Sequence, residues 1–222
     1  MWDYSLEGRV FDIEGRKLQI EEQLTESLLK IRYELNPKDF DFEDPREVKE
    51  IAEERYCHEV EAAILLGERG LGPKYRTHET QYQEEWMPFP GGYIDFFVMQ
   101  LPPGENVNEI QDELTNRQLE SIRTQLAYIL ETMRKNGYTL VQQHPSFLNY
   151  DARTNKLYLI DLADLDFTNP ETSYPIDEES PYVEAFNIWR APYSKSEKGS
   201  KSGRMPPSGQ STKKANRPPW RS

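Results

Sequence analysis

The chain has 222 residues, 36% of them hydrophobic and 12% aromatic, which suits a packed domain and argues against wholesale disorder. Net charge is −12 but uneven: residues 194–222 hold eight Lys and Arg against Glu197 alone, leaving −19 for residues 1–193. So acidic a body disfavours nucleic acid and anionic membrane as its partners, whereas the basic tail suits acidic partners.

No apolar run reaches the roughly 18 residues of a membrane span, so no membrane partner is expected. The start, MWDYSLEGRV, has no signal-peptide pattern. The only cysteine, Cys57, allows no internal disulfide. Together these fit an intracellular setting, cytoplasmic or nuclear.

Residues 1–24 alternate polar and apolar side chains, with turns at Gly8 and Gly15, as half-buried hairpin strands do. Residues 27–35, SLLKIRYEL, predict a third strand. Asp44 then caps a helix, with Pro45 in its first turn and Glu47 completing a capping box. Val48, Ala52, Tyr56, Val60 and Ile64 recur every four residues on one face, and Gly67, Gly70, Gly72 and Pro73 end it. Residues 74–86 predict one strand and a loop. Tyr93–Leu101 is a strongly β-prone run between Pro90-Gly91-Gly92 and Pro102-Pro103-Gly104.

A second helix starts at Thr115, paired with Gln118 in a capping box. Its stripe is Leu119, Ile122, Leu126, Ile129, Leu130 and Met133, and Gly137 sits where it stops. Strands follow near Phe147-Leu148 and over Lys156–Leu162, then loops and a short helix near Tyr182–Trp189. The Ser/Gly/Pro/Lys-rich residues 194–222 are expected to be a disordered basic tail. The order of elements predicts an α+β fold.

Several segments in this order resemble the protein-kinase-like superfamily, nearest to divergent fungal kinase-like proteins and to atypical and small-molecule kinases. Leu28-Leu29-Lys30-Ile31 resembles the third-strand motif whose lysine holds nucleotide phosphates. Glu59 resembles the helix glutamate that keeps such a lysine extended and charged, with Glu61 as the alternative. Val98 to Glu105 resembles the hinge that meets an adenine ring, so Met99 and Leu101 join Lys30 and Glu59 as nucleotide-binding candidates. Leu159-Ile160-Asp161-Leu162-Ala163 resembles the metal-binding segment, with Asp161 as the Mg2+ ligand. An ionised residue inside the apolar run YLIDLA is costly unless it is partnered or functional.

The stretch GYTLVQQHPSFLNYD resembles the catalytic loop of the atypical kinases, G-I-V-H-G-D-L-H-P-G-N-I-L-Y-D. In that register the catalytic aspartate falls on Gln142 and the second metal ligand on Phe147. Sliding it to put Asn149 on the metal-ligand position puts His144 on the catalytic one. In either register there is no Asp or Glu from Thr132 to Tyr150, so no carboxylate base can accept a hydroxyl proton there. The first hairpin also lacks a glycine-rich phosphate loop.

The resemblance implies a two-lobed kinase-like fold, with a small antiparallel-sheet N-lobe over 1–103, a reduced helical C-lobe over 104–193 and the tail over 194–222. Only 61 residues follow Asp161, so the second helix is expected to leave part of its stripe uncovered as a partner surface. Trp189-Arg190-Ala191-Pro192 faintly resembles the end of an activation segment. The functional expectation is a catalytically degenerate domain, a pseudokinase, that retains ATP and Mg2+ through Lys30, Glu59 and Asp161 and acts by binding a protein partner. Two alternatives stay open. One is an active, divergent phosphotransferase using His144 or a borrowed residue as base; the other is an interaction module without nucleotide, its Lys30–Glu59 link purely structural.

Overall fold

In the computed structural model the described residues are 10–13, 16–19, 27–40, 44–162 and 165–188. Gly8, Gly15, Ala163, the Trp189–Pro192 match and the basic segment 194–222 lie outside them.

The chain-order elements of the first lobe are β1 (Val10–Ile13), β2 (Arg16–Gln19), β3 (Ser27–Tyr33), α1 (Pro45–Glu68), β4 (Lys74–Tyr82) and β5 (Tyr93–Gln100). β5 lies between β3 and β4 in an antiparallel sheet, and β1–β2 form a separate antiparallel pair. The period of two along β5 divides the lobe. Ile94, Phe96 and Val98 meet Phe11 and Ile13 of β1 and Met87 in one small core. Phe97 and Met99 point the other way, into a larger core shared with Tyr56, Val60, Ala63 and Leu66 of α1.

α1 begins at the expected cap, with Asp44 accepting from the Arg46 amide behind Pro45, though without the capping box expected from Glu47. Its buried face differs from the expected line. Tyr56, Glu59, Val60, Ala63 and Leu66 are buried, while Val48 and Ile51 are exposed. Val48 in the first turns borders a half-open cavity with Tyr33, Leu35, Phe40 and Tyr93, so it stays partly exposed while the second half of the helix is buried against the sheet.

The second lobe contains β6 (Glu105–Asn106), α2 (Val107–Ile110), α3 (Asn116–Lys135), β7 (Tyr138–Leu140), β8 (Leu148–Asp151), β9 (Lys156–Leu159), β10 (Leu165–Phe167) and α4 (Pro181–Glu184). β8 is central in the antiparallel sheet β6-β8-β9, and β10 pairs with β7. Gly104 turns the chain between the lobes at φ +110, where a Cβ would sit 2.5 Å from the Tyr150 carbonyl. Glycine is required there on both counts.

α3 has the expected capping box between Thr115 and Gln118, and Gly137 follows its end at φ +89. The expectation of an uncovered stripe is overturned. Leu119, Ile122, Leu126, Ile129, Leu130 and Met133 are all buried, in one core with Leu140, Leu157 and Leu159 and with Val183, Phe186 and Ile188 from beyond β10. Residues 170–188 are fastened to α3 by polar bonds as well. Arg123 Nε donates to the Glu178 carbonyl at 2.7 Å. Arg134 donates to Glu131, to the Pro170 carbonyl and to Ser173 Oγ, and Glu131 accepts from the Ile176 amide. Among the described residues no helix is long and apolar enough to cross a membrane.

Candidate functional site

Lys30 and Arg32 are two residues apart on β3, so their side chains leave the same face of the sheet, toward α1. Glu59 lies on the helix face that meets them. Its side chain is only 4% exposed, and it accepts from Lys30 Nζ at 2.5 Å and from the Arg32 guanidinium. Lys30 Nζ also reaches Asp161 Oδ1 at 3.0 Å. Glu61, the alternative partner, points elsewhere and accepts from the Tyr138 hydroxyl at 3.1 Å.

Lys30, Glu59 and Asp161 all line one cavity of about 230 Å³. Leu28 and Leu29 of β3, Ala63 and Leu66 of α1, Phe97 and Met99 of β5, and Pro73 give it apolar walls. Leu159, Ile160, Leu162 and Ser146 close it from the second lobe. The Lys30 side chain is 27% exposed and that of Asp161 39%, so both stand at the mouth and not the floor. Met99 lies on the wall; Leu101 follows the strand and stands outside it. Phe11 and Ile13 of the first hairpin belong to the other small core, away from this cavity.

Beside it a second, more polar cavity of about 190 Å³ is lined by Arg32, Arg55, Glu59, Tyr93 and Asp95. Burial pushes the Asp95 carboxyl up, against the lowering effects of the Thr80 hydroxyl bond and of Arg32. Burial likewise raises Tyr56, whose hydroxyl donates to the Phe96 carbonyl at 2.9 Å.

In the second lobe, Gln142 and His144 are exposed in the loop after β7. His144 caps a single 3₁₀ turn, Pro145–Phe147, and the Ile160 amide donates to the Phe147 carbonyl at 2.7 Å. Phe147 is thus held next to Asp161's own segment. Asn149 is buried in β8 opposite Tyr158, with its amide directed at the Pro102 carbonyl and not into the cavity.

Two participants were not singled out in the sequence. Arg32 was legible from the strand period, since a second cation two residues after Lys30 must share its face. Ser146 had no such signal, because its place on the wall depends on the 3₁₀ turn. Among the described residues no three His, Cys, Asp or Glu side chains group as a metal site; Asp161 is the carboxylate at the mouth.

A strand lysine paired to a helix glutamate across a cleft, with an aspartate from the far lobe closing on the same lysine, joins an antiparallel-sheet lobe to a reduced helical one. The fold is α+β, a small antiparallel-sheet lobe and a reduced helical one. Solved structures similar to the chain include the kinase PK-1 of Cydia pomonella granulovirus, at 14% identity over 69% of this chain and 48% of that one, with a TM-score of 0.45. Vaccinia related kinase 3 matches at 14% identity over 74% of this chain and 53% of that one, with a TM-score of 0.45. WbdD, solved with the kinase inhibitor LY294002, matches at 17% identity over 72% and 35%, with a TM-score of 0.43. The chain therefore spans about half the length of these structures or less. No protein-family model and no curated protein matches it.

Proposed function

We propose that the chain is a degenerate kinase-like domain that binds a nucleoside triphosphate with Mg2+ in the Lys30–Glu59–Asp161 cleft and acts through binding, without phosphorylating a separate substrate. The observation that carries this reading is the convergence of those three side chains at the mouth of one apolar-walled cavity. At about 230 Å³ the cavity is below the roughly 300–1,000 Å³ of most ligand sites. It suits a planar base on the apolar walls and leaves phosphates to the mouth, where Lys30 is already extended toward them.

Asp161 offers one carboxylate at that mouth. Mg2+ is usually held by one or two carboxylates together with the ligand's phosphates and water, so the residue present fits the ion. Mg2+ held there would draw charge from the phosphates. Gln142 in the base position accepts a hydrogen bond but cannot take up the acceptor's proton, and Phe147 offers a metal no oxygen. This supports binding without turnover on a free substrate.

Thermal melting with ATP and Mg2+ tests the reading. Ligand at about 100 times its dissociation constant stabilises by about 2.7 kcal/mol. For a chain of this size that is a rise of roughly 5–10 °C. Lys30→Ala and Asp161→Asn are expected to abolish the rise. A wild-type midpoint unmoved at millimolar ATP would leave the cleft as a structural link only.

A further inference from the structure

A nucleophile–base pair stands at the edge of the cavity, its serine on the wall and its histidine exposed beside it. Ser146 lines the cavity together with Lys30 and Asp161, and its Oγ lies 2.7 Å from His144 Nδ1. The tautomer follows from a second contact: the Ser146 amide donates to the same Nδ1 at 3.2 Å. A nitrogen that accepts from a backbone N–H carries its lone pair there and no proton. The proton between Ser146 and His144 therefore belongs to the hydroxyl, and Ser146 Oγ–H is the donor. A hydroxyl that donates to an unprotonated imidazole is the arrangement that activates serine as a nucleophile. Its own stretch has no carboxylate from Thr132 to Tyr150, and the imidazole is the base already hydrogen-bonded to that hydroxyl.

We propose that Ser146 is the phosphoryl acceptor of this domain, modified in cis by the nucleoside triphosphate in the cleft with His144 as general base. This rests on the nucleotide reading above. Ser146 Oγ attacks the γ-phosphorus, and its proton passes to His144 Nδ1. The bond from the γ-phosphorus to the β–γ bridging oxygen breaks, and the nucleoside diphosphate leaves with that oxygen. The product is phosphoserine on the cavity wall. Its added negative charge lies beside Asp161 and opposes a second triphosphate, so the reaction is a single turnover that closes the site. No separate substrate is needed, which accords with Gln142 where a base for one would stand.

The test uses the full chain, purified and dephosphorylated, incubated with ATP and Mg2+. Intact mass should rise by one phosphoryl group, and fragment mass spectra should place it on Ser146. The rate should not depend on protein concentration. His144→Gln keeps a hydrogen-bond acceptor but cannot take the proton, and should slow labelling about 100-fold or more. Imidazole 15N shifts of the nucleotide-free protein should show Nδ1 as the unprotonated nitrogen of His144, a readout independent of ATP. Mapping on the wild type keeps the test decisive even where Ser146→Ala does not fold. ATP-dependent melting without phosphate on Ser146 overturns this proposal and leaves nucleotide binding standing. Labelling of Ser146 unchanged in His144→Gln, or a protonated Nδ1, overturns the role of His144. Neither melting shift nor label overturns both readings.

Discussion

Removing the Glu59 carboxylate should destabilise the fold well beyond what one ion pair suggests. The side chain is 4% exposed and holds two cations, Lys30 at 27% exposure and Arg32 at 31%. Breaking a fully buried pair costs about 3–5 kcal/mol, and an exposed one about 0–1 kcal/mol. Here the anion is buried but both cations keep access to water, so Glu59→Gln should cost about 2–4 kcal/mol. At roughly 2–4 °C per kcal/mol the midpoint should fall by roughly 5–15 °C. Lys30→Ala and Arg32→Ala should each cost less, about 1–2 kcal/mol, because either cation still neutralises Glu59. The double variant leaves a buried carboxylate unpaired and should exceed the sum of the singles. Urea unfolding of the four variants beside wild type measures this. Glu59→Gln within about 0.5 kcal/mol of wild type, or an additive double variant, would refute the shared-anion argument.

Phe186→Ala should cost about 3–5 kcal/mol, since its fully buried ring is part of the cover over α3, and urea midpoints read this directly. Gly104→Ala should cost at least about 2–3 kcal/mol, from the positive φ and from a Cβ driven against the Tyr150 backbone; an unchanged midpoint would contradict the close approach. The Arg134 guanidinium holds the Glu131 carboxyl down at about 2, from an ordinary 4.5. A carboxyl lowered on folding stabilises fully above the unfolded value and loses that contribution as pH falls through the folded one. The stability gap between wild type and Glu131→Gln should therefore be constant above about pH 4.5 and close toward about pH 2. A gap that persists at the acid end would break the link to Glu131 ionisation.

Where local rules decide the outcome, the sequence was informative. Thr115 with Gln118 sets the start of α3, Asp44 with Pro45 that of α1, and the β-prone run 93–101 becomes β5 within a residue. Lys30, Glu59 and Asp161 come from three distant segments, and their meeting was suggested by ordered motif resemblance, since no periodicity links positions so far apart. What stayed hidden depends on long-range packing. Residues 181–188 read as a loop and short helix, yet their value lies in Val183, Phe186 and Ile188 covering a helix some 50 residues earlier in the chain. β7 and β10 are three residues each and stabilise only as a pair, so neither carries a strand signal alone. Val48 shows the converse, an apolar position of the expected line that stays 39% exposed at the edge of a half-open cavity.

Arg32 changes what the Lys30–Glu59 pair means. With Lys30 as its only cation, Glu59 would need that lysine for stability, and the pair could persist without any ligand. Arg32 removes this necessity, because it pairs with the same carboxylate from the same strand face. Lys30 is then free to divide itself between Glu59 and Asp161 at the mouth of the cavity, a position that solvent reaches and that stability alone does not require. In the proposed complex Asp161 would hold the metal and Lys30 the phosphate oxygens, while the Glu59 side is already balanced by Arg32. Charge is therefore conserved around Glu59 whether the cleft is filled or not. The cost of the proposed binding would then fall on the Lys30–Asp161 contact, whose side chains are 27% and 39% exposed, so water weakens it.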